Sequence, residues 1–169
     1  MRFESLIGIQ LWLVIINLGI ALGAGIYEAR IEFPLWLERS ADGGLAWNAE
    51  AARRADSGLR FWAFVTTGPL TLLTLAGLAT VWRTRGKVRK WWLVSLGAVL
   101  IDRGMTFAYF IPTMMELMGG NLAPDEATAM AGRWGELNHL RHAATFVALL
   151  AAMKAFGAFH ASKGGRLSA

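Results

Sequence analysis

Four long apolar stretches punctuate the chain: Leu6 to Tyr27, Phe61 to Val81, Trp91 to Ile111 and Leu140 to Phe159. Each is long enough to cross a hydrocarbon core, which takes about 20 apolar residues at a helical rise of about 1.5 Å each. Backbone inside lipid must satisfy its own N–H and C=O groups, and none of the four stretches alternates with period two. The pattern therefore predicts α-helices over about 5–28, 60–83, 90–112 and 124–160. The last starts ahead of its apolar run because Pro124, with Asp125 and Glu126 beside it, carries the signature of a helix start. Between the first two helices, FPLW (Phe33 to Trp36) predicts an extended piece and LAWNAEAARRA (Leu45 to Ala55) a short amphipathic helix.

Polar residues inside the apolar stretches fall on faces. On the first helix Gln10, Asn17, Ala21, Ala24 and Glu28 recur at helical spacing, and Gly19 with Gly23 forms a small-residue pair that admits a close neighbour. The second carries Thr67, Thr71 and Thr74 on one side of a kink expected at Pro69. The third aligns Asp102, Thr106, Tyr109 and Thr113, and the fourth Asn138, Arg141 and Thr145 with His142 at the edge. Counting about 1.5 Å per residue from Trp91 puts Asp102 and Arg103 ~16 Å deep, near the bilayer centre. Glu28, Tyr109 and the segment Glu136 to His142 fall toward one surface. These stripes predict a pocket inside the bundle that opens toward that surface.

Composition agrees with a membrane protein. Of 169 residues, 55% are hydrophobic and 17% charged, and the mean hydropathy is +0.41, too apolar for an ordinary soluble domain. The expectation is an all-α fold: a single domain over 1–169, a four-transmembrane-helix bundle with two outer loops. The first apolar run is too long for a signal-peptide core and lacks a small-residue cleavage site, so it reads as a retained helix. Without cysteine there is no disulfide, thiolate metal site or cysteine nucleophile.

The net charge of +5 bears on topology rather than on a nucleic-acid partner. Arg83, Arg85, Lys87, Arg89 and Lys90 crowd the connection between the second and third helices, and Lys163 and Arg166 follow the fourth. The positive-inside rule places that connection and both termini in the cytoplasm of a bacterial inner membrane. The basic residues of the first loop are offset by Glu32, Glu38, Asp42, Glu50 and Asp56. Trp82, Trp91 and Trp92 read as an interfacial belt, and Lys154 as a snorkelling cation.

Three chemistries suit GRWGELNHLRH, residues 132–142. Glu136 and His139 have the spacing of a carboxylate-bridged di-iron helix, but the second such unit is missing, so no metal is expected. Acid–base work without a metal would pair His142 with Arg141, or His139 with Glu136, the histidine taking a proton and a fixed guanidinium stabilising the resulting anion. Binding or transport alone is the third, with Met105, Met114, Met115, Met118 and Met130 as adaptable apolar packing. Each ionisable residue also has a structural reading. Adjacent Asp102 and Arg103 diverge on a helix by about 100° and should each find a partner on another helix, Asp102 with Arg141 and Arg103 with Asn17 or Glu28.

Trp134, Asn138, His139 and Arg141 at the start of the last helix, YFIPTM (Tyr109 to Met114) and AGIYEARIEFPLW (Ala24 to Trp36) resemble the anthrone-oxygenase-like family, domain of unknown function 1772. The likeness spans essentially the whole chain. It implies oxidation of an anthrone to an anthraquinone by dioxygen without a cofactor, with Asn138 and Arg141 lining the pocket and Trp134 its wall. His142 stands where the family often has a small hydroxyl residue. The expected site combines His142, His139 and Arg141 as catalytic groups with Glu28, Asp102, Tyr109, Trp134 and Asn138 against a small hydrophobic or aromatic ligand. The alternatives are a non-catalytic small-molecule or lipid-binding subunit and a transporter. The apolar inner halves WWLVSLGAVL and FVALLAAM favour a blind pocket over a through-path, and the small-residue stripes permit a homo-oligomer.

Overall fold

The computed structural model describes residues 2–39 and 43–167, and the side chains of 5–39 and 43–162. Asp42 and the side chains of Lys163 and Arg166, which entered the charge argument, lie outside them. Four helices are long and apolar enough to cross a membrane: Ser5–Leu35, Gly58–Arg83, Gly86–Gly119 and Pro124–Ser162. They are referred to below as the first to fourth helices.

Interhelical contacts fix an antiparallel ring. The first helix runs against the fourth, with Gly8 beside Phe159, Gly25 beside His142 and Gly135 beside Phe33. It also runs against the second, where Gln10 Nε2 donates to the Leu73 carbonyl at 3.2 Å and Asn17 Nδ2 to the Val65 carbonyl at 2.8 Å. The third helix packs on the fourth, Ser95 Oγ donating to the Ala148 carbonyl at 2.9 Å. It meets the second where Gly77 faces Leu96 and Trp92. One end of the bundle carries the basic Thr84–Arg85 turn and the other the long loops. These are called here the basic end and the hairpin end.

The basic half is a dry core of Leu11, Val14, Leu18, Leu70, Trp92, Leu96 and Val99 packed against Ala148, Ala152 and Ala155. Small residues on the fourth helix let its neighbours approach closely, the usual way to gain dispersion contact where lipid offers no hydrophobic drive. Trp92 belongs to this core at 1% exposure rather than to an interfacial belt. Trp82 has Arg89 over its ring, and Trp91 has Lys90 and Lys154 over its ring. Thr71 and Thr74 donate to carbonyls one turn back, as mid-helix threonines do in apolar surroundings.

Three helices contain a wide turn that the sequence pattern did not reveal. π-helical segments occupy Glu28–Glu32, Gly58–Thr67 and Thr106–Phe110, each closed by a bond to the carbonyl five residues back. Each runs into a helical segment whose second residue is proline: Pro34, Pro69 or Pro112. Proline has no N–H to give and its ring collides with the carbonyl four residues back, so widening the preceding turn lets the helix continue. At Pro69 the carbonyl four residues back is that of Val65, which accepts Asn17 Nδ2 instead.

The hairpin end departs from the expected pattern. Phe33–Leu35 continues the first helix instead of being extended, and the all-α expectation misses a small antiparallel hairpin. This pairs β1 (Leu37–Arg39) with β2 (Leu45–Trp47). Strands of three residues are too short for periodicity to disclose. The amphipathic helix is present as Ala49–Ala55, capped by Asn48 Oδ1 accepting from the Ala51 N–H at 2.8 Å. On it Arg53 and Arg54 hydrogen-bond to Glu50, holding its exposed carboxyl below the usual range. Trp47 fastens this cap, its Nε1 donating to the Leu117 carbonyl at 3.0 Å and its N–H to Thr128 Oγ1 at 3.1 Å. Gly19 and Gly23 face open space and receive no neighbour among the described residues; Gly8, Gly25, Gly77 and Gly135 take the close approaches.

Asn17→Ala removes the acceptor-saving bond beside Pro69 and should lower stability by about 1 kcal/mol, in the range of intramembrane side-chain hydrogen bonds. Reversible unfolding in mixed micelles measures this. An unchanged unfolding midpoint would mean that the Val65 carbonyl finds another donor.

Candidate functional site

Above the dry core, toward the hairpin end, the four helices enclose a cavity of about 350 Å³. Its polar floor is formed by Thr67, Asp102, Arg103, Arg141, His142 and Thr145, and its upper wall by Trp36, Ala52, Trp62, Phe110, Met114, Met118 and Trp134. The wide turns shape it. Each delivers one group to the Arg141 guanidinium.

Glu28 comes from the first wide turn, its carboxylate 3.9 Å from Arg141 Nη2, with both side chains nearly buried. Trp62 comes from the second: its ring lies 5.5 Å from the guanidinium carbon and its Nε1 donates to Glu28 Oε1 at 2.6 Å. Phe110 comes from the third, its ring centre 4.6 Å from the same carbon. A guanidinium between two aromatic faces gains from their quadrupoles, most of all when desolvated, and a carboxylate close by offsets the cost of burying its charge.

Asp102 and Arg103 form their ion pair with each other rather than with Arg141, Asn17 or Glu28 as expected. Arg103 Nε and Nη2 both reach Asp102 Oδ2, at 2.8 and 2.5 Å. The diverging Cβ directions argued against this, but the long arginine stem folds back across the helix surface. Thr145 Oγ1 reaches the other carboxylate oxygen at 3.4 Å. The proposed partners of Arg103 are engaged elsewhere, Asn17 with Val65 and Glu28 with Trp62 and Arg141.

The remaining expected residues divide. Trp134 is buried as the wall, stacked on Phe33 at 5.6 Å, with its Nε1 donating to the Phe110 carbonyl at 3.2 Å. His142 lines the cavity and packs on Gly25, its Nε2 buried without a hydrogen-bond partner. Asn138 is 1% exposed. Its amide lies beside the Glu28 carboxyl, yet neither of its polar atoms has a protein partner in bonding geometry. It opens instead on a smaller groove of about 200 Å³, shared with Ala29, Phe33, Glu136 and His139. His139 is thus exposed on the far side of Trp134, away from the main cavity. Tyr109 is also outside: the wide turn puts Phe110 on the inner face with Asp102, Thr106 and Thr113, where an undistorted helix would have put Tyr109. Trp62, Phe110 and Arg103 belong to the site and were not singled out for it. Their signal was the prolines a few residues downstream of the first two, and the carboxylate beside the third.

Among the described residues no three His, Asp or Glu side chains come together as a metal-binding group. Comparison with known proteins found no matching family model, no matching curated protein and no matching solved structure. The fold and site define the class: a four-helix protein of membrane-crossing character with a charged, aromatic-walled cavity toward one end.

A Cβ added at Gly25 would collide with His142 Nε2. Gly25→Ala should therefore destabilise by about 1–3 kcal/mol through overpacking, and His142→Ala should relieve most of that cost in the double variant. Additive losses in this cycle would show that the two positions are not in contact.

Proposed function

We propose that the protein is a multi-pass protein of the bacterial inner membrane, with both termini in the cytoplasm, that binds a small hydrophobic, aromatic molecule in this cavity. Convergence of one residue from each of three helices on Arg141 of the fourth carries the reading. Flat apolar walls with a few convergent polar groups suit a fused-ring ligand with a carbonyl or phenol, and about 300–1,000 Å³ is the usual size of such sites. The dry core beneath closes the basic end, which supports a blind pocket over a transport path.

The resemblance carried by Trp134, Asn138 and Arg141 extends this reading to an anthrone-type oxygenase. His142 takes one proton from the acidic methylene of the bound ketone, and Arg141 stabilises the enolate oxygen that results. The electron-rich carbanion reduces dioxygen and forms a carbon–oxygen bond; loss of water then leaves a second carbonyl. One anthrone and one dioxygen give one anthraquinone and one water. A second reading is binding without turnover, and one observation favours it: both buried carboxylates already have arginine partners.

Dioxygen uptake by the detergent-purified protein with an anthrone separates the two. The oxygenase reading expects turnover that falls at least about a hundredfold in His142→Ala and Arg141→Ala, the scale of a lost acid–base group, with helical content unchanged. A wild type that binds the anthrone saturably but consumes no oxygen leaves the binding reading alone.

A further inference from the structure

The cavity reaches the surface of the bundle through its side. Leu59, Ile111 and Met115 line it, yet 62%, 40% and 66% of their surfaces are exposed on the outside of the bundle. They lie on the second and third helices, within the stretches apolar enough to cross a membrane. These two helices are held close in the basic half, where Gly77 meets Leu96 and Trp92. Toward the hairpin end the cavity lies between them. The end itself is covered, since Trp36 and Ala52 are buried over the cavity and Arg53 Nη1 ties the cap helix to the Met118 carbonyl at 2.5 Å.

Polarity changes along the path from this gap inward. Between the second and third helices its mouth is aliphatic and thioether, with Asp56 and Ser57 at the rim next to Leu59, while its inner end holds Glu28, Asp102, Arg103 and Arg141, paired as two carboxylates with two guanidinium groups. Arg103 Nη1 and His142 Nε2 are buried there without partners. A donor left over beside compensated charges suits a neutral acceptor such as a carbonyl oxygen, and an anion would upset the balance.

We infer that the ligand enters from the bilayer, sideways between the second and third helices, and that it is a neutral amphiphile. Its carbonyl-bearing ring occupies the cavity and its aliphatic tail lies in the gap against the acyl chains. This rests on the cavity being a ligand site and adds the route and the tail.

The chain has no cysteine, so single cysteines can be placed at Met115, in the gap, and at Leu72, an exposed second-helix residue away from it. Each variant is reconstituted in lipid vesicles and modified with a bulky maleimide. The probes are menadione and the same naphthoquinone carrying a geranylgeranyl chain, compared at equal mole fraction in the bilayer. Saturable quenching of tryptophan fluorescence reads binding, because Trp36, Trp62 and Trp134 line the cavity. The expected result is binding of the chained probe to unmodified Met115→Cys, slowed about tenfold or more by modification there, since obstruction of the route acts on the association rate. Modification of Leu72→Cys should change nothing. Binding that persists unslowed after modification at Met115 overturns the lateral route, and menadione binding without the chained probe overturns the tail; both leave the cavity as a ligand site. Failure of both probes to bind removes the site and the inference together.

Discussion

The Arg141 guanidinium is the group around which the hairpin half is organised. A cation on a helix apolar enough to cross a membrane is costly unless its neighbours compensate it, and here every other helix contributes: Glu28 a carboxylate, Trp62 and Phe110 aromatic faces. All three arrive from wide turns. Each wide turn thus holds one of the side chains that face Arg141, and each is followed by a proline.

From that requirement the division of the molecule follows. The basic half needs no polar compensation beyond bonds such as those of Gln10 and Ser95, so small residues and branched aliphatics close it into a dry core. In the hairpin half, charged and aromatic side chains hold the helices apart and leave a cavity with an apolar roof and a charge-compensated floor. The loops complete it from above, with Trp47 and Arg53 binding the cap to the ends of the third and fourth helices.

Much of this was legible in the sequence, because hydrophobic length and helical spacing are local properties. The four helices, the inward turn of Asn17, Glu28, Asp102, Asn138 and Thr145, and the cap helix all followed from them. What stayed hidden depends on a change of register or on a flexible side chain. Spacing alone chose Tyr109, and one extra residue in a turn substituted Phe110. Cβ directions separated Asp102 from Arg103, and a long stem brought them together. His139 shares a helix with Arg141, but the bulk of Trp134 partitions the interior and leaves it on a separate groove.

If charged side chains from separate helices jointly enclose one ligand-binding void, electron cryomicroscopy of the protein in lipid nanodiscs with saturating naphthoquinone will show ring-shaped density bounded by Trp62, Phe110, Trp134 and Arg141, with Glu28 beside the guanidinium. A map in which that space is filled by repacked side chains, with Arg141 turned away from Glu28 toward water or headgroups, would contradict it.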